Sequence, residues 1–109
     1  MKVEQAFTAL ADGIKKHGAP VCQEIDGELW FPEAGGESYE LRQAKKICSE
    51  CPVQLLCAQY ALVADEQYGI WGGLTPNQRD EIRKGKTTVH KALARSADRV
   101  KNFRLKVPR

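Results

Sequence analysis

Cys48-Ser-Glu-Cys51-Pro-Val-Gln-Leu-Leu-Cys57 is the stretch around which this chain is organised: three thiols stand within ten residues. The fourth and last cysteine, Cys22, lies alone upstream, and the stretch closes downstream on Gly69-Ile-Trp-Gly-Gly73. Three crowded sulfurs and one distant sulfur read as ligands to one centre that pins a remote loop onto a helical hairpin. In a chain of 109 residues such a staple helps offset the ordering entropy that a small core covers poorly.

The hairpin follows from the residues on either side. Leu41, Ala44 and Cys48 recur at i, i+3, i+7, which predicts a helix over about 39–48, capped by Ser38, with the Cys48 sulfur on its inward stripe. Pro52 suits the first turn of a further helix running to about residue 66. There Val53, Leu56, Cys57, Tyr60, Ala61 and Ala64 share one face, so Cys57 also points inward. The three glycines of 69–73 predict a turn from which Trp71 projects.

Elsewhere Val3, Phe7, Leu10, Ala11 and Ile14 predict an amphipathic helix over 3–16, stopped by Gly18 and Pro20, with His17 suited to the negative end of its dipole. Residues 19–37 read as a loop carrying Cys22 and the segment Asp26-Gly-Glu-Leu-Trp-Phe-Pro32, whose large apolar residues need either burial or a partner. Thr75-Pro-Asn-Gln78 is a capping box with proline at the first helical position, opening a helix that ends at Gly85. After it, Val89, Ala92, Leu93 and Ser96 fall on one helical face and Lys91, Arg95 and Arg99 on another, predicting a short basic helix with a frayed end. The expected fold is all-α: four to five short helices around the four cysteines, with a basic C-terminal tail.

Charge is unevenly divided. From Arg83 to Arg109 there are ten Lys or Arg against the single acid Asp98, whereas the rest of the chain has seven basic and thirteen acidic residues. An acidic body with a basic tail is how a nucleic-acid-directed appendage looks, the alternative being a solvated tail that maintains solubility. Met1 to Gly18 has no uninterrupted apolar run, so neither a signal peptide nor a membrane span is expected there. The reducing cytoplasm is the expected compartment, in which cysteines serve metals or redox chemistry before disulfides.

The spacing C-x25-C-x2-C-x5-C leaves three chemistries open. Structural zinc on four cysteines usually takes two short C-x2-C pairs, and this chain has one. A disulfide oxidoreductase places its pair after a strand in a βαβ unit, and no strand pattern precedes Cys51. A four-cysteine iron–sulfur cluster is bulkier and accepts ligands from a wider frame, including a distant loop. No nucleophile–base pair, paired carboxylates or phosphate loop accompanies them, so an enzyme is not expected.

Taken in order, lone Cys22, the aromatic pair before Pro32, C-x2-C-x5-C, Gly-Ile-Trp-Gly-Gly and a basic tail resemble the WhiB-like proteins over about residues 20–85. The resemblance implies one [4Fe–4S] cluster on Cys22, Cys48, Cys51 and Cys57. It also implies a bacterial transcription regulator, monomeric when free, that docks on the C-terminal region of the primary sigma factor of RNA polymerase and contacts promoter DNA with its tail. The sigma-facing positions carried over are Trp30, Phe31, Pro32, Gly69, Trp71, Gly72 and Gly73. For DNA they are Arg83, Lys84, Lys86, Lys91, Arg95, Arg99, Lys101, Arg104 and Lys106. Residues 1–85 are then the cluster-binding, sigma-docking domain and 86–109 the DNA-directed tail, with nitric oxide or oxygen as signals read through the cluster. Trp30 stands where phenylalanine is usual, Gly27 where proline often follows the aspartate, and Arg83-Lys-Gly-Lys86 in place of an Arg-Gly-Arg hook. The rival classes are a zinc-stapled nucleic-acid or protein binding module, a thiol-disulfide reductase acting through Cys48 and Cys51, and a simple electron carrier.

Overall fold

The computed structural model describes residues 2–18 and 39–103. Cys22, Trp30, Phe31 and Pro32, the expected cap Ser38, and Arg104 and Lys106 lie outside the described residues. Among the described residues five helices follow in order: α1 (Val3–His17), α2 (Tyr39–Ser49), α3 (Gln54–Val63), α4 (Pro76–Arg83) and α5 (Val89–Val100). Among the described residues the only extended pairing is one isolated bridge between Trp71 and Leu74.

Helix α1 packs on α3 most closely through small residues, and the stripe that its large apolar residues predict is covered only in part, with Leu10 and Ile14 half-buried. Val3 and Phe7 stay 41% and 58% exposed, while Ala6 is 2% exposed and Gly13 is buried. The reason is closeness of approach. A Cβ on Gly13 would stand 2.7 Å from Leu56 Cδ1 and 3.1 Å from Val53 Cγ1, so the small residues form the contact and the larger ones flank it. Phe7 sits at that flank, edge-on to Tyr60 of α3 at 6.0 Å between ring centroids.

Helix α2 buries Leu41, Ala44 and Cys48, as its periodicity predicts, and Ile47 beside them. Helix α3 starts at Gln54, two residues later than Pro52, because Cys48–Gln54 forms a turn: the Cys51 N–H donates to Cys48 O (3.1 Å) and the Gln54 N–H to Cys51 O (3.1 Å). Its buried face matches the expected one in part, with Val53 and Ala61 buried as expected and Ala58 joining them. Ala58 and Ala61 are fully buried, whereas Leu56, Cys57 and Tyr60 are half-buried.

Helix α4 begins as predicted, with the Thr75 hydroxyl accepting from the Gln78 N–H (3.1 Å) and Gln78 Oε1 accepting from the Thr75 N–H (2.9 Å). Helix α5 is capped by Thr88, whose hydroxyl accepts from the Lys91 N–H. The helix runs to Val100 and packs on both α2 and α4, so most of the basic C-terminal stretch is part of the folded body. Ala92 and Val100 are buried, the Lys46 ammonium donates to Lys101 O (3.3 Å), and the Arg42 guanidinium lies 5.7 Å from the Phe103 ring centroid. Ala58 of α3, Leu74 of the turn and Ala92 of α5 meet at the centre, with Ile82, Val89 and Leu93 against them.

Candidate metal centre

Three of the four cysteines lie along one short path. Cys48 is in the last turn of α2 and 8% exposed, Cys51 is half-buried in the turn, and Cys57 is half-buried near the start of α3, where its N–H donates to Val53 O (2.8 Å). The first turn of α3 carries no acidic residue. Among the described residues alone, no three Cys, His, Asp or Glu side chains form a metal-binding group, and the fourth expected ligand, Cys22, lies outside them.

The glycine turn closes over this corner. Trp71-Gly72-Gly73-Leu74 is a tight two-residue turn with hydrogen bonds in both directions, Trp71 N–H to Leu74 O (3.2 Å) and Leu74 N–H to Trp71 O (3.0 Å). Both central residues have positive φ, 62° at Gly72 and 85° at Gly73, conformations that glycine adopts without steric penalty. Space is equally limiting. A Cβ on Gly72 would stand 2.7 Å from Gln54 O and 2.9 Å from Ala58 N, while one on Gly73 would stand 3.3 Å from Cys48 Cβ. Gln54 Nε2 donates to Gly72 O (3.1 Å), tying the turn to the start of α3. The backbone lid approaches Cys48 because Gly73 lacks a side chain, and the three cysteines along this path offer thiol sulfurs as donors. This donor set fits a thiophilic centre, an iron–sulfur cluster or zinc.

Two buried cations hold the lid. Arg79 of α4 is 0% exposed, and its guanidinium donates to the carbonyls of Gly69 (2.9 Å), Leu74 (2.7 Å), Glu66 (3.2 Å) and Tyr68 (3.2 Å). Burial pushes its pKa below the ordinary arginine value and Arg83 adds to that, while Glu66 and the Cys57 sulfur act in the opposite direction. Lys45 of α2, 4% exposed, donates to Gly73 O (3.2 Å), Gln78 Oε1 (2.8 Å) and Ser96 Oγ (2.7 Å). Neither cation is among the expected site residues. Both stand at inward positions of helices with few apolar residues: Lys45 four residues after Leu41, Arg79 three before Ile82. That periodicity was the available signal.

Of the expected sigma-facing residues, Gly69, Gly72 and Gly73 are buried and Trp71 is half-buried. The Trp71 indole donates to Tyr68 O (3.1 Å) and tilts against Tyr60 at 5.6 Å, so Phe7, Tyr60 and Trp71 form a row from α1 to the turn, with Tyr68 77% exposed beside it. Of the expected DNA-facing residues, Arg83, Lys84, Lys86, Lys91, Arg95, Arg99 and Lys101 are exposed. Arg83 engages Asp65 (3.3 Å) and Ala61 O (3.1 Å), Lys84 engages Asp80 (2.9 Å) and Lys101 engages Asp98 (3.4 Å).

Comparison with known proteins decides the family. The model described as "Transcription factor WhiB" matches residues 17–82, spanning the lone cysteine, the thiol corner and the glycine turn. This chain belongs to the WhiB family. Transcriptional regulator WhiB2 of Mycobacterium tuberculosis is 46% identical over 65 residues, covering 60% of this chain and 70% of that protein. Transcriptional regulator WhiB of Streptomyces coelicolor is 45% identical over 64 residues, 59% of this chain and 70% of the relative. The WhiB3 protein of M. tuberculosis, called a redox- and pH-responsive transcriptional regulator, is 32% identical over 81 residues, 71% of this chain and 79% of its own length. The WhiB-family match ends at residue 82, so α5 lies beyond it. Among the described residues, no helix of this WhiB-family chain is long and apolar enough to cross a membrane.

Proposed function

We propose that this WhiB-family chain is a transcription regulator that carries one [4Fe–4S] cluster on Cys22, Cys48, Cys51 and Cys57. In this reading it docks through its aromatic row on the C-terminal region of the primary sigma factor and meets promoter DNA with its basic C-terminal segment. The observation that carries the reading is the thiol corner under the glycine lid: Gly72 and Gly73 press the turn so closely on the start of α3 and on Cys48 that order in the corner and order in the turn depend on each other. A cluster held there supplies the reactive iron and sulfide at which nitric oxide or oxygen acts.

The protein's own residues account for the rest. Arg79 gathers four carbonyls and so fixes the 66–74 segment, which in turn presents Trp71 against Tyr60. Trp71 with Phe7, Tyr60 and exposed Tyr68 makes an aromatic surface of the kind that anchors a protein partner. Trp30, Phe31 and Pro32 are proposed as its continuation. Residue 85 then divides the chain by role: 1–85 for the cluster and sigma factor, 86–109 for DNA. Helix α5 presents Lys91, Arg95 and Arg99 on its exposed side, and with Arg83, Lys84, Lys86, Lys101, Arg104 and Lys106 these attract phosphates.

Anaerobic purification with iron, sulfide and zinc analysis tests the cofactor. Iron and acid-labile sulfide each near four per chain are expected, together with a broad visible charge-transfer band. One zinc per chain and no colour would replace this reading by the zinc-stapled binding module. Pull-down of the sigma factor's C-terminal region by the holo protein, and its loss in Cys57→Ala, tests the docking.

A further inference from the structure

Four elements of this fold meet at one polar point. The Lys45 ammonium of α2 donates to Gly73 O in the lid, to Gln78 Oε1 in α4 and to Ser96 Oγ in α5. Ser96 is 1% exposed, and its hydroxyl donates to Gly73 O (3.3 Å) while accepting from Gln78 Nε2 (3.3 Å). Gln78 Oε1 also receives the Thr75 N–H that caps α4, so its two acceptor sites serve α2 and the α4 cap together. Gly73 O likewise takes two donors. A buried network in which each group is matched holds its members in one arrangement, since any shift leaves a polar group unpaired in a poorly solvated place.

The position of this network gives it a role. On one side, Gly73 lies against the Cys48 side chain, where a Cβ would come within 3.3 Å. On the other, Ser96 is the polar member of the buried stripe Ala92–Ser96–Val100 of α5. Alanine and valine alone specify a helix's rotation and sliding weakly, whereas a serine bonded to a fixed lysine specifies both. Lys91, Arg95 and Arg99 lie on the neighbouring exposed side of the same helix, so fixing Ser96 fixes where those three charges point.

We infer that Lys45 is a positioning residue that transmits the state of the thiol corner, through Gly73 and Ser96, to the orientation of the basic side of α5. This rests on the proposed DNA role of α5 for its consequence but not for the linkage itself. When the corner is disturbed the lid moves, Gly73 O leaves the ammonium, and the pin at Ser96 loosens. With Lys45 removed, α5 no longer follows the corner.

The test is a double-mutant cycle on the full-length chain, with Cys48→Ala as the disturbance of the corner and Lys45→Met as the cut in the link. Hydrogen exchange of the α5 amides is one readout and the Kd for a short DNA duplex at fixed salt is the other. In the parent background Cys48→Ala should lower α5 protection by about tenfold, and in the Lys45→Met background by less than about twofold. Equal losses in both backgrounds overturn the inference. If Lys45→Met does not fold, Ser96→Ala cuts the same link at its far end and the same comparison applies. A parent protein that shows no salt-dependent duplex binding would refute the DNA role of α5, and the exchange cycle would still decide whether the link exists.

Discussion

Replacing Gly72 by alanine separates conformational strain from lack of space, because Gly85 supplies the strain alone. Both residues have positive φ, 62° and 78°, but nothing lies within 4 Å of a Cβ built on Gly85. Gly85→Ala should therefore cost only the left-handed penalty, about 1–2 kcal/mol, reduced by several tenths because alanine has less freedom to lose on folding. At Gly72 the added carbon would meet the Gln54 carbonyl oxygen at 2.7 Å and the Ala58 amide nitrogen at 2.9 Å, both backbone atoms of α3 that cannot swing aside. The turn must lift instead. Lifting it breaks the Gln54–Gly72 hydrogen bond (3.1 Å), worth about 1 kcal/mol, and adds about 1–3 kcal/mol of misfit where the lid meets α3. The expected total is about 3–5 kcal/mol, roughly 2–4 kcal/mol beyond Gly85→Ala. Urea unfolding followed by circular dichroism, with metal content matched between variants, measures both. Gly72→Ala no more destabilising than Gly85→Ala would refute the close approach of the lid to α3, and with it the argument that corner and turn order each other.

Arg79→Lys should destabilise by at least about 2 kcal/mol, since an ammonium lacks the planar fork that reaches the carbonyls of Glu66, Tyr68, Gly69 and Leu74 together. For a domain of this size that lowers Tm by about 8 °C or more, and an unchanged Tm would mean that the fork is dispensable. Lys91→Gln with Arg95→Gln should lower the slope of log affinity against log salt for duplex DNA by about 2, from an expected value near −5 if roughly six phosphates are met. An unaltered slope assigns DNA contact elsewhere. The Asp80 carboxyl is held below the usual range, chiefly by the hydrogen bond from Lys84, and the Lys84 ammonium is held above its own. A depressed carboxyl contributes stability above its unfolded pKa of about 4 and loses it as pH falls through the lower folded value. Asp80→Asn should therefore remove that acid-side decline, and stability-against-pH curves that stay parallel down to pH ~2 would show that the pair contributes nothing.

Local signals carried the helices a long way. Thr75 and Pro76 set the start of α4, Gly85 its end, and the Leu41–Ala44–Cys48 spacing the buried side of α2, because caps and periodicity act over a few residues and need no partner from elsewhere. The order of cysteines and the Gly-Ile-Trp-Gly-Gly turn pointed to the family that the comparisons then showed. What only the tertiary structure decided was which residues face which neighbour. Ala6 and Gly13 are buried in α1 while Val3 stays exposed and Phe7 is left at the flank against Tyr60, since two helices approach most closely where side chains are smallest. Helix α5 belongs to the body because Ala92, Ser96 and Val100 find α2 and α4, whereas a count of its charges sees only a tail. Lys45 and Arg79 are buried for the same reason. A cation is expected at the surface unless acceptors surround it, and those of Lys45 come from 28, 33 and 51 residues away, brought together only when the chain is folded.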